Sequence, residues 1–369
     1  MASVVKNSDG TYTISAYGKT YTTNHYTRLS NDMYDSLVAQ LNAVPAQEDV
    51  IYDFNSVASG QSLYSNIKKK YVFDLRCAVL NYKCRWTISE VFSDIDLLSI
   101  LYDCVLCCPN TQSGDLFTDI FTRIRTAGKP VCNLPSHFPI QSADVIIQKY
   151  NKNNNWYDFS CGWGDRLLCA LRNNVNYFGT DPNYLLTQRL QEMSDDYARY
   201  TLKKKSEVQI NTCGSEIFIP KYFNSMGLAF SSPPYFILED YKVGNQSYTD
   251  GVSYDMWLSG YMTETMKNIY DYLIVGGYFV INVRSFDKYD LELDCRRIAE
   301  QVGFTYVTTE TLKNIDVKMA NGEKRPNDEG MFVFTKEASR IQYHDSVPEA
   351  ETVLGLGKTI TRVKPNRFF

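Results

Sequence analysis

The chain has 369 residues, a formal net charge of −4, and 44% apolar against 22% charged residues. This is ordinary globular composition, and it excludes a globally basic protein that coats nucleic acid through charge alone. No run approaches the ~18 consecutive apolar residues of a membrane span, and the polar stretch from Met1 to Gly10 has no apolar signal core.

The first elements are short. Thr11 to Ser15 and Thr20 to Thr23 read as β segments, with Asp9-Gly10 and Tyr17-Gly18 as turns. Met33, Leu37, Val38 and Leu41 predict a helix from Asn31 to Leu41, capped by Ser30 or Asn31. Val91, Ile95, Leu98, Ile100, Leu101 and Val105 predict a second apolar helix from Ser89 to Leu106. Residues 1–130 therefore read as a mainly helical N-terminal domain, without a chemical motif. Ala127-Gly128-Lys129-Pro130 and then Pro135 and Pro139 mark a break.

Beyond the break the pattern turns regular. Helices are predicted over Ser142–Tyr150, Arg166–Arg172, Pro182–Tyr200, Asp255–Leu273 and Asp290–Val302. Strands are predicted over Trp156–Phe159, Tyr177–Gly179, Glu207–Ile210, Leu228–Phe230, Gly277–Val283, Tyr306–Thr309 and Gly330–Phe334. Such alternation indicates an α/β domain with a mostly parallel sheet over residues 131–340, followed by a basic tail over 341–369. A sheet of this kind binds ligands beyond the carboxyl ends of its strands, at the switch point.

Three motifs fall at strand ends. Asp158-Phe159-Ser160-Cys161-Gly162-Trp163-Gly164 is a glycine turn that opens a helix, where ligand can approach backbone. It lacks the third glycine of a dinucleotide fingerprint and the Lys-Ser/Thr of a phosphate loop. Asp181 ends the next strand, placed to accept hydrogen bonds from ribose hydroxyls or to cap the helix beginning at Pro182. Ser232-Pro233-Pro234-Tyr235 ends the fourth strand. Two prolines cannot sit inside a central strand, so they make a rigid corner that presents a hydroxyl, acceptor carbonyls and an aromatic face.

In this order the motifs resemble those of the amino-methyltransferases of the class I S-adenosylmethionine-dependent fold, specifically the DNA N6-adenine and N4-cytosine methylases. The resemblance covers roughly Pro135 to Lys336. It implies a Rossmann-like, mostly parallel seven-stranded sheet with helices on both faces. It also implies S-adenosyl-L-methionine as cofactor, held by Phe138, Asp158, Ser160, Gly162, Gly164, Asp181, Pro182, Ser232 and either Ser215 or Glu216. Ser232, Pro233, Pro234 and Tyr235 would be catalytic, acting on the exocyclic amine of a DNA base flipped from its duplex. Glu329-Gly330-Met331-Phe332-Val333-Phe334 resembles the family's late strand. Phe159, Cys161 and Asp165 depart from the usual residues of the cofactor loop, and no target-recognition domain is evident. Methylation of RNA or of a protein glutamine, or a non-catalytic nucleic-acid-binding relative, are the alternatives.

Other features read more plainly. The loop from Phe236 to Ser253 is polar and aromatic, and Tyr241 within it is a candidate to close over the acceptor. The ten cysteines, including Cys77, Cys84, Cys104, Cys107 and Cys108, read as buried reduced thiols. His25, His137 and His344 form no metal-binding pattern. Lys203-Lys204-Lys205 and the tail residues Lys358, Arg362, Lys364 and Arg367 are basic patches suited to phosphate or to solvent. The 28 tyrosines and frequent asparagines fit an AT-rich coding genome such as that of a phage. The expected location is the cytoplasm, of the host if the chain is viral.

Overall fold

The computed structural model describes residues 1–338 apart from 63, 108–112, 127–130, 204–205, 250, 312–316, 319–323 and 326–329. Cys108, Lys204, Lys205, Glu329, the 127–130 break and the basic tail lie outside the described residues.

The chain starts as an antiparallel meander of β1 (Ser3–Lys6), β2 (Tyr12–Ala16) and β3 (Lys19–Thr23). Tyr17 and Gly18 both have positive φ, 50° and 70°, which is the two-residue hairpin turn their order suggests. Next come α1 (Asn31–Asn42), α2 (Gln47–Ala58), α3 (Ser65–Tyr71), α4 (Phe73–Cys77), the two-residue strand β4 (Leu80–Asn81), α5 (Ile88–Phe92), α6 (Ile95–Leu106) and α7 (Leu116–Thr126). Ser30 is the cap of α1, its hydroxyl accepting from the Met33 N–H at 3.2 Å.

The single helix expected over Ser89–Leu106 is two. Thr87 and Glu90 form a capping box at α5. Asp94 then caps α6, accepting from the N–H groups of Asp96 and Leu97 at 2.9 and 3.3 Å. A side-chain acceptor inside the apolar run offers the backbone an alternative to continuing the helix. The expectation of buried thiols fails at Cys107, which ends α6 exposed, and at the half-buried Cys84, Cys104 and Cys213, whereas Cys77, Cys132, Cys161, Cys169 and Cys295 are buried.

The regular part comprises α8 (Ile140–Tyr150), β5 (Asn155–Asp158), α9 (Asp165–Arg172), β6 (Asn176–Asp181), α10 (Tyr184–Tyr200), β7 (Val208–Thr212), β8 (Met226–Ser231), β9 (Glu239–Asp240), α11 (Tyr254–Trp257), α12 (Thr263–Tyr272), β10 (Leu273–Asn282), α13 (Leu291–Val302), β11 (Thr305–Thr311), the pair β12 (Val317–Lys318) and β13 (Lys324–Arg325), and β14 (Gly330–Thr335). Seven of these strands form one sheet in the order β11-β14-β10-β8-β5-β6-β7. β5, β6, β7, β8 and β10 run parallel, and β14 is antiparallel to β10 and β11. This is a Rossmann-like fold with class I methyltransferase topology. The chain reverses its direction across the sheet between β5 and β8, so the crevice beyond their carboxyl ends is the switch point.

One helix departs from expectation. Asp255–Leu273 is interrupted by a π-turn over Leu258–Met262 between α11 and α12. The extra residue keeps Trp257, Tyr261, Met262, Met266 and Ile269 all buried against one face of the sheet. On the other face, Val50, Phe54 and Val57 of α2 and Ile67 and Tyr71 of α3 join α8, α9 and α10 in a single core with Trp156, Tyr177 and Phe230 of the sheet. The N-terminal helices thus cover the sheet directly, and Met1–Glu337 forms one compact unit. Among the described residues no helix is long and apolar enough to cross a membrane.

Candidate active site at the switch point

The loop between β5 and α9 is set by its glycines. Gly162 and Gly164 have φ of +57° and +82°. A Cβ at Gly164 would meet Leu190 Cδ2 at 2.9 Å, so the turn needs glycine both for conformation and for close packing on α10. Two of the unusual residues here are also explained by packing. Phe159 is buried against Phe279, ring centroids 5.8 Å apart. Cys161 is buried where its Sγ would lie 2.5 Å from a Cβ at residue 179, so Gly179 makes room for it.

Beneath the loop lies a buried ion pair. Asp158 is fully buried, and Arg166 Nε donates to its Oδ2 at 2.8 Å while Nη2 donates to Oδ1 at 3.2 Å. Tyr177 Oη donates to Asp158 Oδ2 at 2.8 Å. Arg166 Nη2 also donates to the Ser160 carbonyl and to Ser231 Oγ, the latter at 3.0 Å, and Ser231 Oγ donates to the Ser160 carbonyl at 3.1 Å. Burial opposes the Arg166 charge, but Asp158 outweighs it and raises the guanidinium pKa further. The guanidinium therefore bolts the glycine loop to the last residue of β8, immediately before the diproline corner.

The corner is held from the next strand. Asn282, ending β10, donates from Nδ2 to Ser232 Oγ at 3.0 Å, and Tyr235 Oη donates to the Asn282 carbonyl at 3.1 Å. Phe236 follows with φ of +48°, rare for a bulky side chain. Its ring is surrounded by Tyr248, Tyr254, Trp257 and Tyr289, at centroid distances of 5.0 to 5.6 Å. Such packing over-determines a strained residue, and strain of this kind gathers at functional turns.

A cleft of about 280 Å³ joins these parts. Phe138, Ser160, Gly162, Asp181, Pro182, Ser215, Glu216, Ser232, Pro233, Pro234 and Tyr235 all line it. Asp158 and Gly164 do not; they hold the loop from behind. Phe138 packs edge-on to Phe230, 5.3 Å between centroids. Asp181 accepts from the Asn183 N–H at 3.0 Å and from the Gly162 backbone N–H. The helix after it is capped by Asn183 and starts at Tyr184, so the capping expectation for Asp181 is corrected: proline at 182 precedes the helix. Burial pushes the Asp181 carboxyl up to about 7.

Ser215 and Glu216 separate clearly. Ser215 Oγ bonds Thr265 Oγ1 at 2.8 Å and its carbonyl accepts from Asn268 Nδ2 at 2.9 Å. Glu216 Oε2 is buried at the cleft wall with no hydrogen-bond partner among the described residues. Such an oxygen is costly unless a ligand donates to it.

Two further segments contribute: the loop after the corner, whose Tyr241 the sequence singles out, and the stretch carrying α3 and β4, where the sequence shows no motif. The loop after the corner lies over the glycine loop: Tyr241 sits 6.2 Å from Trp163 between centroids, and Asn245 Nδ2 donates to the Pro182 carbonyl at 3.1 Å. Its strand β9 pairs with β4, and the Tyr82 N–H donates to the Leu238 carbonyl at 2.8 Å. Tyr241 Oη donates to Glu239 Oε2. Burial pushes the Glu239 carboxyl up, against the Tyr241 hydrogen bond and the nearby Arg76. On the cofactor-loop side, Asp165 is paired with the buried Lys68 of α3 and accepts from Tyr64 Oη at 3.1 Å.

No family model matches the chain, and no curated protein does. Among solved structures it is similar to a TehB-like SAM-dependent methyltransferase from Corynebacterium glutamicum, at 16% identity and a TM-score of 0.34 over 53% of this chain and 86% of that one. A SAM-dependent methyltransferase from Methanosarcina mazei matches at 11% identity and a TM-score of 0.37, over 55% and 99% of the two chains. An rRNA methylase from Streptococcus thermophilus matches at 14% and 0.36, again over 55% and 99%. At these identities and scores the likeness says nothing of substrate.

Proposed function

We propose that the chain is an S-adenosyl-L-methionine-dependent methyltransferase acting on the exocyclic amine of a nucleic-acid base, with DNA as the polymer. The observation that carries this reading is the Arg166 bridge. It joins the Ser160 carbonyl of the glycine loop to Ser231 at the diproline corner, so a donor site and a planar-amine site share one cleft.

The residues present fit the cofactor. Gly162, at positive φ on the cleft wall, leaves the loop backbone open to a ligand, Asp181 suits ribose hydroxyls, and the Glu216 oxygen suits a further donor. When bound, S-adenosyl-L-methionine supplies an electrophilic methyl on a sulfonium sulfur. The acceptor nitrogen is a poor nucleophile because its lone pair is delocalised into the ring. Ser232 Oγ, held by Asn282, and the Pro233 carbonyl accept hydrogen bonds from its two N–H groups and draw it toward tetrahedral geometry. That placement frees the lone pair for in-line attack, and the fixed dipoles stabilise the positive charge growing on nitrogen. Ser232 is no general base near neutral pH, so the spare proton leaves to water. Tyr235 offers the ring face on which the base stacks, and a duplex base must flip to reach it.

The test is mass spectrometry of nucleosides from DNA of cells expressing the wild type or a Pro234→Ala/Tyr235→Ala variant. A methylated adenine or cytosine nucleoside present only with the wild type is expected. Its absence from DNA, with labelled methyl appearing in RNA or protein, would replace the acceptor.

A further inference from the structure

We propose that the span from Leu238 to Gln246 is a clasp over the donor site, and that its fastening to the N-terminal strand β4 sets how fast the methyl donor enters and leaves. This rests on the reading that the cleft holds S-adenosyl-L-methionine.

The span starts just after the diproline corner beyond β8 and reaches Pro182 beyond β6. β5 lies between those two strands in the sheet, so the span crosses the glycine loop. Tyr241 meets Trp163 of that loop at 6.2 Å between centroids, and Asn245 Nδ2 donates to the Pro182 carbonyl at 3.1 Å. Leu238, Glu239, Tyr241, Val243, Asn245 and Gln246 all line the cleft. A donor lying from Asp181 along the glycine loop is beneath this cover, so the cover must swing away for the donor to pass.

The span is tied to itself. Gln246 Oε1 accepts from the Tyr241 N–H at 2.9 Å, Gln246 Nε2 donates to Asp240 Oδ1 at 3.0 Å, and Tyr241 Oη donates to Glu239. Its two ends are pinned side by side. Phe236 packs on Tyr248 at 5.0 Å between centroids, and Ser247 Oγ accepts from Trp257 Nε1 at 3.2 Å. A compact loop with neighbouring ends and its own internal contacts moves as one piece about those ends.

Light fastenings hold it down. β9 and β4 form a separate two-stranded ladder, each strand two residues long, and the Tyr82 N–H donates to the Leu238 carbonyl at 2.8 Å. A strand pair of this size is marginal by itself. The fixed half of the clasp is firmer. Asn81 Nδ2 donates to the Asn133 carbonyl at 2.7 Å, and the N–H groups of Arg85 and Trp86 donate to the Val131 carbonyl at 3.2 and 3.0 Å. Trp86 itself is fully buried. The clasp therefore parts between β4 and β9, and the N-terminal region stays in place while the span opens. Opening of such a cover commonly limits ligand exchange.

The experiment measures binding and release of labelled S-adenosyl-L-methionine by rapid mixing, with an unlabelled chase for release. It uses the full chain as wild type, Asn245→Ala and Tyr82→Pro. The first variant loses the bond to Pro182 from an exposed side chain, and the second loses the N–H that holds Leu238. A gate works in both directions, so each variant should raise the entry and exit rates together by about three- to tenfold, the size of one lost hydrogen bond. The dissociation constant should move by about twofold or less. Asn245→Ala carries the test alone if Tyr82→Pro fails to melt cooperatively. Faster exit with unchanged entry would make the span an ordinary donor contact, and two unchanged rates would leave β4 without influence; either result overturns the clasp while leaving the cofactor intact. Failure of the wild type to bind the donor overturns the cofactor reading itself.

Discussion

Arg166→Met should lower the free energy of unfolding by about 3–5 kcal/mol, read as a fall in the urea midpoint at unchanged slope. The variant strands Asp158, a fully buried carboxylate, with only the Tyr177 hydroxyl and a long 3.3 Å bond from the Ser160 N–H. It also frees the glycine loop from β8. Adding Asp158→Asn removes the orphaned charge, so the double variant should recover part of the stability. Donor binding should not recover, because the Ser160–Arg166–Ser231 bridge is still gone. Recovery of both together would mean that the ion pair serves the core alone.

Ser232→Ala should reduce kcat by ~10²–10³-fold, the range for losing one preorganised polar group at a centre of developing charge. Donor affinity should fall far less than kcat, because the bridge that fixes the cofactor loop to β8 runs through Ser231. Tyr235→Ala should instead act on the acceptor, raising its KM by ~5–150-fold as expected for a lost stacking face worth about 1–3 kcal/mol. The substitution also removes the bond to the Asn282 carbonyl, so Tyr235→Phe is the control. The phenylalanine keeps the face and should keep most of the acceptor binding. Steady-state kinetics on a methyl-accepting oligonucleotide separates the two residues.

Much of this site was legible because its parts are local. A strand, a glycine bend and a helix follow one another within residues 155–172, and a diproline cannot be anything but a corner after an apolar strand. What stayed hidden depends on partners distant in sequence. Arg166 reads as the polar side of a helix until β8 brings Ser231 beside it. Asn282 carries no motif, since a strand end becomes a positioning group only when its neighbour is the corner. The choice between Ser215 and Glu216 needed α12, whose Thr265 and Asn268 occupy Ser215. β4 is two residues long, too short for any periodicity, yet it carries the wall that holds Glu239 and Tyr241. For the same reason the N-terminal region seemed to have no chemistry. Its contribution is Lys68, which pairs with Asp165 of the cleft wall, and one edge of backbone, each recognisable only against the sheet.

The most direct test of the single donor–acceptor cleft is calorimetric titration of S-adenosyl-L-methionine into the purified chain at pH 6 and pH 8. Asp181 must be ionised to accept from ribose hydroxyls, and burial has moved its carboxyl up to about 7. Affinity should therefore rise with pH by about tenfold between those values, as the ionised fraction rises. The same shift means the folded chain holds this proton more tightly than the unfolded one. Its contribution to stability is present below the ordinary value of 3.8 and is lost as pH rises to about 7. One molecule bound per chain, tightening from pH 6 to pH 8 and with the pH effect gone in Asp181→Asn, is the predicted result; no heat of binding at either pH would contradict the account.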